Sequence, residues 1–129
     1  MNFNEKDNFV EIQKVITRVS KLANNSDLSR DVLSTRDYVN TKLFEKDCEF
    51  KVFEFIGELE KLFLEGYCNY LELLNLFEIN VNTIKDLFDN EKGVLIMSED
   101  LKIRKNRLNL LSLIRNYSLK IADFTLFNS

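Results

Sequence analysis

The sequence predicts an all-α fold, a compact bundle of five or six helices around a central helix near residues 42–64. Three observations carry that expectation. No proline and only three glycines occur in 129 residues, so the usual helix breakers are nearly absent while Leu, Lys and Glu are plentiful. Apolar residues recur at three- and four-residue intervals along most of the chain, the spacing of a helix face turned toward a core. The stretch from Thr41 to Leu64 reads as one long helix and is apolar on two sides.

On the front of that stretch Phe44, Cys48, Val52, Phe55, Ile56, Leu59, Leu62 and Phe63 form one broad arc. On the back Leu43, Phe50, Gly57 and Leu64 recur every seven residues, with Phe53 at their edge. Both faces require a cover. The bundle's own helices supply it if the segment is sandwiched. Alternatively Phe50, Phe53, Gly57 and Leu64 form a docking surface, with Gly57 as a notch admitting another backbone.

Taking the chain in order, Phe9, Ile12, Val15, Ile16, Val19 and Leu22 make a single narrow stripe on a first helix over residues 5–23. Asn24, Asn25 and Ser26 favour a turn, because their side chains compete with helical hydrogen bonding. A second helix is expected over residues 28–40 from Leu28, Val32, Thr35 and Val39, and Thr41 is expected to cap the central one. Residues 67–79 are apolar around most of a helical circumference, which predicts an interior helix. Asn82 is expected to cap a short helix carrying Ile84, Leu87 and Phe88, and residues 89–93 read as a turn. Residues 94–97, VLIM, suit either a short strand or a buried connector. Ser98, Glu99 and Asp100 then open a long final helix with Ile103, Leu110, Ile114, Tyr117, Ile121 and Phe124 on one face. With no linker or repeat, the expectation is one domain over residues 1–129.

Several chemistries are disfavoured by composition. There is no histidine, which removes His-based acid–base catalysis, His-activated nucleophiles and His-containing metal sites. Cys48 and Cys68 are too few for a structural zinc site, and read as buried reduced thiols of a cytoplasmic protein. Glu54 and Glu58 lie one helical turn apart without the Glu-x-x-His pattern of di-iron bundles. The three glycines are isolated, so no phosphate-cradling loop is present. The expectation is a protein that is not an enzyme and takes no cofactor or metal. No apolar run is long enough to span a membrane. The net charge is −3, yet from Leu101 onward six Lys or Arg face Asp123 alone, so the tail is basic and the rest acidic.

Residues 73–88, LLNLFEINVNTIKDLF, resemble the helix-turn-helix of DNA-binding regulators, with Leu73, Phe77, Ile79, Ile84 and Leu87 at the packing positions. They depart from the pattern at Leu74 and Glu78, where it has Ala and Gly. The resemblance implies nucleic-acid contact by Asn82, Thr83 and Lys85, with Lys102, Arg104, Lys105 and Arg107 of the basic final helix in support. Arg107-Leu108-Asn109-Leu110 is also similar to the Arg-x-Asp-Leu signature of death-effector-type adaptor domains, six-helix modules, with Asn109 in place of the acid and Lys85-Asp86-Leu87 as a second anchor. The leading functional expectation is a non-catalytic interaction module (an adaptor, inhibitor, chaperone or small subunit of a complex) whose partner is another protein or a second copy. The alternative is the DNA-binding regulator.

Overall fold

The computed structural model describes the backbone of residues 3–66 and 70–121 and the side chains of residues 9–66 and 71–121. Among these there are five α-helices and no strand: α1 (Phe3–Ala23), α2 (Asp47–Leu64), α3 (Tyr70–Ile79), α4 (Val81–Asp86) and α5 (Leu101–Ser118), with a 3-10 turn at Thr41–Leu43. The all-α, compact helical expectation holds. Cys68 and Phe124 lie outside the described residues.

The helix at the centre is α5, not α2. Every residue from Asn106 to Ser118 is buried, although the segment carries two arginines, three asparagines and two serines. One side of α5 is conventional core. Leu110, Leu111, Leu113, Ile114 and Tyr117 pack with Ile12, Val15, Ile16, Val19 and Ala23 of α1 and with Val52, Phe55, Ile56 and Leu59 of α2. Each such fully buried side chain contributes about 1.5–3 kcal/mol of transfer free energy. The edge-on ring contacts Phe55–Phe77 and Phe63–Tyr117 extend this core toward α3 and along α2. The buried stripe of α1 and the front face of α2 match the sequence periodicity.

The other side of α5 is polar, and residues 24–40 cover it. This segment is not the expected second helix. Ser26, Ser29, Ser34 and Asn40 each accept a hydrogen bond from the amide two residues onward, fixing a succession of tight turns in competition with the helical pattern. Asp37 adopts a left-handed φ of 70°. Such a segment leaves its carbonyls without helical donors, and α5 supplies them. Arg115 donates to the carbonyls of Ala23 and Leu28, Asn116 to those of Ser29 and Val32, Tyr117 to that of Leu33, Asn109 to that of Tyr38, and Asn106 to that of Asn40. Asn106, Asn109 and Asn116 fall at i, i+3 and i+10, so the amides form a stripe along one face. Among the described residues no buried side-chain nitrogen or oxygen lacks a partner.

Two further expectations change. The long helix from Thr41 is interrupted at residues 44–46, and Glu49 is the reason: its Oε1 accepts from the amides of Glu45 and Lys46 at 2.8 and 3.2 Å, a capping arrangement that starts α2 at Asp47. Over residues 71–79, the described part of the apolar segment expected in the interior, the chain is peripheral. Among the described side chains of α3 only Leu73 and Phe77 are buried, with Leu74 and Leu76 half-buried against the core, while Leu71 and Ile79 are 60% and 68% exposed. The interior place is taken by α5, whose polar groups have partners that apolar residues could not replace.

Asn80 alone separates α3 from α4 and stands at the N-cap of α4 in place of Asn82, its side chain donating to the Leu76 carbonyl at the end of α3. Asp89 accepts from the amides of Glu91 and Lys92, bonds that hold its carboxyl below the usual range. Gly93 is required there, since a Cβ would meet the carbonyl oxygens of Leu87 and Asp89 at 2.5 Å. Residues 94–97 are an irregular connector with Ile96 buried. The Asp100 carboxylate then caps α5 by accepting from the amides of Lys102 and Ile103, where the sequence suggests a cap followed by two acids of the first turn.

Candidate functional site

The first half of α5 carries two kinds of side chain on adjoining lines of its surface. Lys102, Asn106 and Asn109 lie at i, i+4 and i+7, and Lys105 sits one turn below Asn109. The amides point to residues 37–43 and pull that segment close, whereas Lys102 and Lys105 remain exposed. Between the two runs an open cleft of about 620 Å³, lined by Lys42, Lys102 and Lys105, by Tyr38, Asn106 and Asn109, and by Asp37 as the only carboxylate among the described residues. Three ammonium groups against one carboxylate give this concavity a positive character that the acidic chain as a whole lacks.

The far wall is built from few residues. Asn40 donates its amide to Asn106 Oδ1 at 2.7 Å and accepts from Asn106 Nδ2 at 3.0 Å, a two-bond clamp. The same Asn40 carbonyl accepts from the Leu43 amide, and the Asn40 side chain accepts from the Lys42 amide, so the clamp holds the 3-10 turn that carries Lys42. Tyr38 sits in the loop just ahead, exposed, with its carbonyl held by Asn109. The described chain holds no cluster of His, Cys, Asp or Glu able to bind a metal ion.

The nucleic-acid candidates from the sequence divide. Lys102 and Lys105 line the cleft. Arg107 does not: it is 5% exposed and bonded to Glu45, to Glu49 and to the Leu95 carbonyl. Arg104 is half-buried, its Nε donating to the Ser98 carbonyl. Asn82, Thr83 and Lys85 belong to α4 and take no part in the cleft, and Lys85 pairs with Glu11 of α1 at 3.2 Å. The helix-turn-helix reading fails on geometry as well, because Ile79 faces outward where it should pack and α4 has only six residues. Sequence reasoning missed Lys42, Tyr38, Asn40, Asn106 and Asn109. The signal available was the Lys-Asn stripe at helical spacing.

The partner-binding candidates lie on the outer side of α2. Phe50 is 45% exposed with its ring edge-on to Phe44, Phe53 is half-buried against the same ring, and Leu64 is 87% exposed. Gly57 has open space where a Cβ would stand. Among the described residues no helix covers this face, so the expected sandwich is corrected. A second, smaller cleft joins Lys46, Lys51 and Lys92 to Asp47, Asp86 and Cys48, with the charges nearly balanced. Burial, and then the neighbouring Glu49 carboxylate, raise the pKa of the Cys48 thiol.

Comparison with known proteins overturns the functional expectation. The chain is 34% identical over 116 residues to the glycine–tRNA ligase beta subunit of Gloeothece citriformis, covering 88% of this chain and 16% of that protein. It is similar to one stretch of a tRNA ligase subunit. The beta subunits of Acaryochloris marina and Persephonella marina are each 32% identical, over 88% and 91% of this chain and 16% and 15% of theirs. The chain thus spans about a sixth of the length of the curated relatives it matches. No family model and no solved structure matches. These relatives are subunits of an enzyme, which corrects the expectation of a protein outside enzymology, and with it the free-standing adaptor and the DNA-binding regulator. The adaptor likeness at residues 107–110 is replaced by a structural role, since Arg107 is a buried ion-pair member and Asn109 a loop clamp. Among the described residues no helix is long and apolar enough to cross a membrane.

Proposed function

We propose that this chain takes part in joining glycine to tRNA, as the counterpart of the matching stretch of a glycine–tRNA ligase beta subunit, and that its contribution is to hold the tRNA at the cleft of Lys42, Lys102 and Lys105. The similarity over 88% of the chain carries the reading. The geometry supports a site for RNA because exposed ammonium groups match phosphates as point charges, while the exposed Tyr38 ring offers a surface on which a base can stack. The relatives are called beta subunits, and in this reading the protein partner is another subunit of such a ligase.

The test is a titration of a fluorescently labelled glycine tRNA transcript with the full chain at several salt concentrations. Binding that weakens with salt by roughly 2–3 log units per log unit, as about three phosphate contacts require, supports the reading. Binding no tighter than to duplex DNA of equal charge would overturn it.

A further inference from the structure

Lys42 belongs to a turn of three residues, and so short a 3-10 segment has little stability of its own. Its position is set by what holds the ends. At the leading end the holder is Asn106, which is 4% exposed and spends both ends of its amide on the backbone of one residue, Asn40. The Asn40 carbonyl is the first acceptor of the turn, and the Asn40 side chain caps the Lys42 amide at 3.0 Å. The linkage runs without a gap from α5, which presents Lys102 and Lys105, through Asn106 and Asn40 to Lys42 on the opposite wall.

We propose that Asn106 is a positioning residue for RNA binding: it touches no phosphate itself but sets the distance of Lys42 from Lys102 and Lys105, so that all three ammonium groups engage one stretch of phosphate backbone. This rests on the cleft being the tRNA site. An amide suits the role better than an ionised group, because it offers one donor and one acceptor to the two backbone groups and adds no charge. A lysine placed by a slack turn still attracts RNA, but it loses more freedom on binding and neutralises its phosphate less often.

A double-mutant cycle on the glycine tRNA transcript tests this, using the full chain and Lys42→Ala, Asn106→Ala and the two together. Expected at about 0.1 M salt is a fivefold loss for Lys42→Ala, about threefold for Asn106→Ala, and about fivefold for the pair, because Asn106 has nothing left to position. Lys42→Ala should flatten the salt dependence by about 0.7–0.9 log units per log unit, one phosphate's worth, and Asn106→Ala by a part of that. If Asn106→Ala weakens binding equally with and without Lys42, or leaves the slope intact, the positioning role is overturned while the cleft stands. If Lys42→Ala, Lys102→Ala and Lys105→Ala all leave affinity unchanged, the cleft reading has failed. Should Asn106→Ala lose its helical circular dichroism, Asn40→Ala decides in the same cycle: at an exposed residue it keeps the backbone groups that Asn106 clamps and removes the side-chain cap on the Lys42 amide. It should therefore weaken binding with Lys42 present and not without it, and an equal loss in both overturns the linkage.

Discussion

Arg107 and Glu49 face each other inside the protein, Nε to Oε2 at 3.4 Å, with side-chain exposures of 5% and 0%. Glu45 adds a second carboxylate from the surface, bonded to Arg107 Nη2 at 2.6 Å. Because Glu49 also caps the start of α2, one guanidinium ties that helix, the connector carbonyl of Leu95 and α5 together. Arg107→Met leaves the Glu49 carboxylate buried and uncompensated, and should cost about 3–5 kcal/mol in urea denaturation. Replacing both partners by Met should recover most of that loss, apart from about 1 kcal/mol for the cap. A single-variant loss under about 1 kcal/mol would show that Glu49 is not sealed from water.

The loop over residues 24–40 depends on α5 for its hydrogen bonds, and Asn116 supplies two of them, at 2.9 and 2.7 Å. Asn116→Ala should destabilise the fold by about 1–3 kcal/mol, the cost of carbonyls left without donors. It should also speed trypsin cleavage after Arg30 and Arg36, both exposed in that loop, before the helical spectrum is lost. Unchanged cleavage would mean the loop is held by its own turns.

The reading of periodicity succeeded where polar residues meet water. Ile12, Val15, Ile16 and Val19 of α1, and Val52, Phe55, Ile56 and Leu59 of α2, are buried as their spacing predicts. It failed at α5, because Asn106, Asn109, Arg115 and Asn116 are buried against backbone rather than solvated, and a polar residue bonded to a loop carbonyl has the same letter as one bonded to water. It failed at residues 28–40 because the spacing of Leu28, Val32 and Val39 is helical while Ser29, Ser34 and Asn40 bond their own neighbours. Of the site, Lys102 and Lys105 were legible as basic residues of a final helix. Lys42 was not, since only the fold brings it across from them.

On the outer face of α2, Phe50→Glu should leave the helical spectrum intact and cost no more than about 1 kcal/mol, the worth of its edge-on contact with Phe44. Gly57→Ala should stabilise by about 0.5–1 kcal/mol, since nothing stands within 4 Å of the new Cβ. Unfolding of the first variant or destabilisation by the second, read in thermal melts, would mean that this face is covered after all.

Charge location, rather than total charge, is what the proposed tRNA site requires. Lys102→Glu with Lys105→Glu reverses two ammonium groups inside the larger cleft, and Lys51→Glu with Lys92→Glu makes the same change in net charge at the smaller one. The most direct measurement is the affinity of the two double variants for a glycine tRNA transcript, at one salt concentration and beside the parent chain. The cleft pair should lose at least about tenfold and the distant pair no more than about threefold. Equal losses from both pairs, or none from the first, would contradict a tRNA site at Lys42, Lys102 and Lys105.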